Sequence, residues 1–257
     1  QERGIRMPIS PDAVLRAEHI SKSFGDHKVL EDVSISLQKG ELVCLLGISG
    51  AGKTTLFNIL SGLMQPDSGH VYVNGAETTG QPGKISYMLQ KDLLLPFRTV
   101  LDNVALPLML RGVPKKEARE QAASHFARFG LAGPDKKYPD KISGGMPQRA
   151  ALLRTYLASD GIALLDEPFS ALDTITKGAI HEWYLDIMRD IELTTLFITH
   201  DVDEAVKLSD RVCILGGSPG TIFAQIPIEE PRPRAHDFML GEAFLGYKRK
   251  LFEALQL

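Results

Sequence analysis

An α/β fold built on a parallel sheet is predicted by three observations in this 257-residue chain. Leu42-Val43-Cys44-Leu45-Leu46, Ile162-Ala163-Leu164-Leu165 and Thr195-Leu196-Phe197-Ile198-Thr199 are apolar runs without alternation, as expected of strands covered on both faces. The first leads directly into the glycine-rich run Gly47-Ile48-Ser49-Gly50-Ala51-Gly52-Lys53-Thr54. From Ile162 onward strand and helix patterns alternate, the order that parallel strands require of their crossovers.

The elements follow in order. An opening sheet spans roughly residues 12 to 46, with short strands that include Val14 to Ala17 and Val33 to Leu37. After the strand at 42–46, glycines let the backbone wrap an anion with N–H groups pointing inward, and the next helix adds its positive end. Lys53 can then reach the β- and γ-phosphates of a nucleoside triphosphate, and Thr54 offers a hydroxyl to Mg²⁺. Gly47, Ser49, Gly50, Ala51, Gly52, Lys53, Thr54 and Thr55 form this candidate nucleotide-binding loop. A bare glycine pattern arises by accident, but here a strand precedes it and Leu56, Ile59, Leu60 and Leu63 give one side of a helix over Thr54 to Leu63.

Asn74-Gly75 to Gly83 is a turn region, and Lys84 to Met88 a strand that delivers Gln90. From about Thr99 to Tyr156 the pattern is helical. Pro114 opens a helix there whose Ala118, Ala122, Phe126 and Phe129 form one apolar stripe ending at Gly130, with Lys115, Lys116, Glu117, Arg119 and Glu120 as its solvated face. Ile142-Ser143-Gly144-Gly145-Met146-Pro147-Gln148-Arg149 places a second anion nest before a helix: Ser143 can cap it, Gly144 and Gly145 expose N–H groups, and Pro147 is tolerated in a first helical turn. The strand Ile162 to Asp166 ends in two acids. Alone, such a pair is an ordinary solvated turn; after a phosphate loop, Asp166 is placed to hold Mg²⁺ through its water shell and Glu167 to polarise the attacking water. His200 closes the strand at 195–199, Gly216 to Gly220 turns into a last strand pair, and Glu230-Pro231-Arg232-Pro233-Arg234 links to a terminal amphipathic helix around Leu240 to Leu255.

Taken together these landmarks resemble the ATP-binding cassette family along nearly the whole chain. Its signature reads Leu-Ser-Gly-Gly followed by Gln or Met, and residues 142 to 146 match with Ile in place of Leu. Phe24 resembles the aromatic that stacks on adenine, Gln90 the Q-loop glutamine that meets metal and water, Ser170-Ala171-Leu172-Asp173 the D-loop, and His200 the H-loop histidine that meets the γ-phosphate. The resemblance implies a phosphate-loop NTPase (RecA-like) core with a small antiparallel β-subdomain, at 12–98 and 157–228. A helical signature subdomain is inserted at 99–156, and a linker and helix follow at 229–257. It also implies a head-to-tail homodimer formed in the presence of ATP, in which Ser143, Gly144 and Gly145 of one copy close over the nucleotide on the other. With Lys53, Gln90, Asp166, Glu167 and His200 all present, ATP hydrolysis with Mg²⁺ is the expected reaction.

The stretch Leu93-Leu94-Leu95-Pro96-Phe97-Arg98-Thr99-Val100 resembles the subfamily that energises import of nitrate, sulfonates, taurine and related small solutes, where Leu-Leu-Pro-Trp-Arg-Thr-Val follows the Q-loop glutamine and Phe97 here replaces Trp. Thr199 to Ala205 and Gly217 to Gly220 fit the same subfamily, whose range extends to pyrimidine vitamin precursors. Implied partners are two transmembrane permease subunits and, through them, a solute-binding protein, with the chain on the cytoplasmic face of the membrane. Leu94, Leu95 and Phe97 are the apolar residues expected to meet a permease. An exporter subunit is the nearest alternative. DNA-repair and ribosomal cassettes carry tandem cassettes, coiled-coil insertions or basic extensions not seen here. A formal charge of -3 with 24% charged residues gives no basic tract for nucleic acid, and Cys44 and Cys213 read as buried free thiols.

Overall fold

The computed structural model describes residues 10, 12–133, 135–142, 144–170, 174–232, 234 and 237–255. Two sheets organise it. The first is antiparallel, in the order β2-β1-β4-β5, from β1 (Leu15–Phe24), β2 (His27–Leu37), β4 (Ser68–Val73) and β5 (Ala76–Glu77). The second runs β10-β9-β3-β8-β7-β6 and contains β3 (Leu42–Leu46), β6 (Ser86–Met88), β7 (Ile162–Asp166), β8 (Thr194–Thr199), β9 (Arg211–Gly216) and β10 (Thr221–Pro227). Its strands are parallel except β10, which returns antiparallel beside β9.

The unalternated strands divide their side chains between two cores. In β3, Leu42, Cys44 and Leu46 face one cluster while Val43 and Leu45 face the other; in β7, Ala163 and Leu165 oppose Ile162 and Leu164. Helices and the antiparallel sheet cover the two faces, so every position has an apolar neighbour and none needs to be polar. Cys44 and Cys213 are free and buried, and burial pushes both thiols up, Cys213 to about 12, which leaves neither a nucleophile at neutral pH.

The opening sheet is more extensive than the alternation of its residues predicts. β1 passes through register irregularities between Ala17 and Ile20, where His19 adopts φ 55°, and continues to a hairpin turn at Gly25 (φ 59°). A bulge of this type breaks the period of two while the ladder persists beyond it, so pattern alone ends the strand at Ala17. The segment read as a turn region carries β5 at its start.

The helical layer comprises α2 (Val100–Val104), α3 (Leu106–Leu110), α4 (Lys115–Ser124) and α5 (Met146–Ala158), with α5 packed on α2, α3 and β6. α4 stops at Ser124 rather than Gly130. The N–H groups of His125 and Phe126 turn back to Ala122 and Ala123 (3.2 and 3.0 Å), three residues earlier instead of four, and this tightening ends the helix. Phe126 and Phe129 are buried all the same, from the turns that follow. α1 (Lys53–Leu60) is likewise shorter than expected: Leu56, Ile59 and Leu60 are buried, whereas Leu63 lies past its end and is exposed. α6 (Thr174–Ile191), α7 (Val202–Leu208) and α8 (Glu242–Leu255) complete the chain, α8 packing on α7 and β9 through Phe244, Tyr247 and Leu251. No helix among the described residues is long and apolar enough to cross a membrane.

Candidate nucleotide-binding and catalytic site

The phosphate loop joins the end of β3 to the start of α1, with Gly50 and Gly52 at φ 83° and 95°, in the left-handed region that favours glycine. Gly47 is required for space instead. A Cβ there would stand 2.3 Å from the Leu215 carbonyl oxygen of β9, and one on Gly52 would meet the Leu30 side chain at 2.7 Å. Ile48, Ser49, Gly50 and Thr54 face outward, while Ala51 is buried. The Lys53 ammonium folds over the loop and donates to the carbonyls of Gly47 (2.7 Å) and Ile48 (2.8 Å), which leaves one of its three donors for a phosphate oxygen. Burial lowers the Lys53 pKa, and the nearby Glu167 and Asp166 carboxylates oppose that shift.

Three adjacent parallel strands deliver the remaining groups at their carboxyl ends, where α/β sheets place ligands. β6 leads to Gln90, β7 to Asp166 and Glu167, and β8 to His200. Glu167 adopts φ 44°, sparsely populated for a residue with a side chain, and its N–H bonds the Ile198 carbonyl of β8 at 3.1 Å. Both its carboxylate oxygens are engaged: Gln90 Nε2 donates to Oε2 (3.0 Å) and His200 Nδ1 lies 3.2 Å from Oε1. Ser170 Oγ donates to the Glu167 carbonyl (3.0 Å) and lies 3.4 Å from Gln90 Nε2. Gln90, Glu167, Ser170 and His200 line one cleft of about 700 Å³ with Lys91, Asp92, Leu93 and Gln148. Asp166 points elsewhere, accepting from the Tyr87 hydroxyl at 3.3 Å, and burial raises its pKa.

Phe24 stands at the end of β1, about half exposed, with Lys22 Nζ 5.8 Å from its ring centroid. Ser143 of the signature and Ala171, Leu172 and Asp173 of the D-loop lie outside the described residues. Gly144 is exposed at φ 61°. Gly145 holds the N-cap position of α5, and a Cβ on it would come within 2.3 Å of Ile180 in α6. Pro147 falls in the first turn of α5, where its missing N–H costs nothing.

Of the apolar trio after Gln90, Leu94 is buried in the core, Leu95 half-buried and Phe97 73% exposed; Leu93, not counted among them, is also exposed. Sequence reasoning also passed over what holds this segment. Asn103 is fully buried, its Oδ1 accepting from Leu95 N (2.6 Å) and its Nδ2 donating to the carbonyls of Leu95, Arg98 and Thr99 at 3.0–3.2 Å. The Arg154 guanidinium binds the carbonyls of Asp92 and Leu93. An asparagine inside a helix among apolar residues is the signal that would have located this clamp, since a buried amide has to find backbone partners.

The ABC transporter family model matches residues 30–170. Over 216 residues the chain is 43% identical to the formylaminopyrimidine import ATP-binding protein ThiZ of Halalkalibacterium halodurans, covering 84% of each protein. It is 36% identical over 238 residues, 90% of each, to the nitrate import ATP-binding protein NrtD of Synechocystis sp.. Among solved structures, a dimeric ATP-binding cassette in a post-hydrolysis state bound to ADP and Pi superposes with a TM-score of 0.71 at 26% identity, over 84% of this chain and all of that one. The phosphate loop, the cluster of Gln90, Glu167 and His200 at neighbouring strand ends, and these similarities agree that this chain belongs to the ABC transporter family, as an ATP-binding cassette.

Proposed function

We propose that this chain is the ATP-hydrolysing, energy-coupling subunit of an importer for a small solute, acting as a head-to-tail pair docked on two permease subunits at the cytoplasmic face of a membrane. The observation that carries the reading is the Gln90–Glu167–His200 cluster, which places a carboxylate between an amide and an imidazole beside the phosphate loop. Relatives named for import of formylaminopyrimidine, aliphatic sulfonates and nitrate support the transport direction and a small solute of that range.

In this reading the loop N–H groups and Lys53 hold the β- and γ-phosphates, Phe24 stacks on adenine, and Glu167 takes a proton from the water that attacks the γ-phosphorus. His200 meets the γ-phosphate and keeps Glu167 oriented. Thr54, Gln90 and Asp166 supply hard oxygen donors of the kind Mg²⁺ prefers. Among the described residues no group of three His, Cys, Asp or Glu side chains makes a metal site on its own. Mg²⁺ bound there would neutralise charge developing on the phosphates. α5 packs on α2, α3 and β6, whereas α1 packs on β2. The exposed Gly144 at the start of α5 is free to approach the nucleotide of an apposed copy, the arrangement a two-fold pair requires. Phe97 and Leu93 present the apolar surface for a permease, a narrower patch than the leucine run predicts.

Reconstitution with two permeases tests this: ATP turnover should rise when a solute-loaded binding protein is added. Turnover that ignores every loaded receptor would overturn the importer assignment while leaving the ATPase intact. Phe24→Ala should weaken ATP binding by about 5- to 150-fold, on the order of 1 to 3 kcal/mol of stacking, with little change in kcat. An unchanged nucleotide affinity would remove Phe24 from the adenine site.

A further inference from the structure

A buried ionic cluster lies behind the catalytic groups and belongs to none of the roles above. Glu204 in α7 is 3% exposed. Its Oε2 accepts from Thr199 Oγ1 at 2.6 Å, and its Oε1 lies 2.6 Å from Lys177 Nζ and 3.4 Å from His181 Nε2, both in α6. Lys177 also reaches Asp201 Oδ2 at 3.3 Å. Asp201 Oδ1 in turn accepts from the N–H groups of Asp203 and Glu204, and the Asp201 N–H donates to Thr199 Oγ1 at 3.0 Å. The His181 ring meets Phe169, two residues after Glu167, edge-on at 4.7 Å.

His200 stands between Thr199 and Asp201, and both of these are fixed by the cluster. Its own side chain is 67% exposed and bonded to Glu167, so its position is set by its backbone and not by packing around the ring. A charged carboxylate is costly to take out of water unless paired; Glu204 is paired with Lys177 and His181 and bonds Thr199, one neighbour of the exposed imidazole, while Lys177 also pairs with Asp201, the other. Burial would raise the Glu204 pKa, but His181, Lys177 and Thr199 hold it down to about 2, so the carboxylate stays charged at any working pH.

We propose that Glu204, acting through Thr199 and Asp201 and braced on Lys177 and His181 of α6, is a positioning residue that sets His200 against Glu167 and the γ-phosphate. This rests on the reading of His200 given under Proposed function. A positional error of about 1 Å in a reacting group lowers turnover by as much as about 100-fold while Lys53 and the phosphate loop keep their hold. The effect therefore falls on kcat and spares affinity, since Lys53 and the phosphate loop lie at the end of β3 and outside the cluster.

The test compares Thr199→Val, Glu204→Gln and His200→Ala in the full chain by steady-state ATP turnover, fluorescent-nucleotide titration and thermal melting. Thr199→Val keeps the side-chain shape and replaces the hydroxyl with a methyl group. It and Glu204→Gln are expected to lower kcat about tenfold or more, with KM and nucleotide affinity within about twofold of the parent; Thr199→Val is expected to melt at a lower temperature, because Glu204 Oε2 and the Asp201 N–H lose their partner, while staying folded at the assay temperature. If His200→Ala abolishes turnover but Thr199→Val stays within twofold of the parent, the positioning role is refuted and the reading of His200 stands. If His200→Ala turns over like the parent, the reading itself falls. A parallel fall of kcat and affinity in Thr199→Val would mean general loosening and would also refute the proposal. Should Glu204→Gln fail to fold, Thr199→Val decides alone.

Discussion

Glu167→Gln will bind ATP as the parent does, hold two copies together, and release phosphate at least about 100-fold more slowly, the range that removal of a general base produces. The substitution keeps size and shape. The amide oxygen can still accept from Gln90, as Oε2 does at 3.0 Å, so the cleft should not collapse. What disappears is the negative charge that, in the function proposed above, draws a proton from water. The same charge repels a γ-phosphate held by Lys53, so its loss favours the ATP-bound state while blocking the reaction that would end it. Gel filtration with and without ATP, alongside a phosphate-release assay, checks both halves. Release near the parental rate would take Glu167 out of the chemistry and leave its bonds to Gln90 and His200 as scaffolding.

Lys53→Ala acts earlier. The ammonium bridges the carbonyls of Gly47 and Ile48 and keeps one donor for phosphate, so its removal deletes a cation opposite a polyanion and unpairs two acceptors of the loop. Hydrogen bonds to charged groups contribute about 1.5 to 3 kcal/mol each, so a loss of about 100-fold in nucleotide affinity is the expected result. A fluorescent-nucleotide titration reads it directly. The contrast with Glu167→Gln is diagnostic: one variant cannot take hold of its substrate, the other cannot let it go. Parental affinity in Lys53→Ala would mean that the loop N–H groups and the helix terminus suffice, and would move Lys53 from binding to turnover.

The parallel core was legible because burial on both faces removes every polar alternative from a strand: β7 runs from Ile162 to Asp166 as its residues predict. The phosphate loop was legible because backbone conformation, tight space and charge each demand a particular residue type within one short segment. Elements whose stability comes from partners distant in sequence were harder to read. β1 carries on through a bulge because β2 and β4 pair with it on both sides, a support invisible in its own residues. α4 has the apolar spacing to continue, yet the chain tightens at His125 and brings Phe126 and Phe129 into the core without further helix. Leu94 reads as a docking residue and is core, while neighbouring Leu93, at φ 46°, is turned outward. Single residues whose roles lie in buried polar bonding, such as Asn103 and Glu204, carry no periodic signature at all.

The back of the phosphate loop is cast against main chain of β9, the strand beside β3, and of the turn that follows it. The Leu215 carbonyl occupies the place a side chain on Gly47 would need, and the Ala51 carbonyl occupies the place one on Gly220 would need, at 2.1 Å. Gly220 is stitched to β2 by bonds to Val29 and Glu31. The turn between β9 and β10 thus serves as a mould for a loop it never resembles in sequence, and peptide groups, unlike side chains, cannot be trimmed to make room. Bulk added at Gly220, on the inner face of that turn, would press on the Ala51 carbonyl and so on the loop itself.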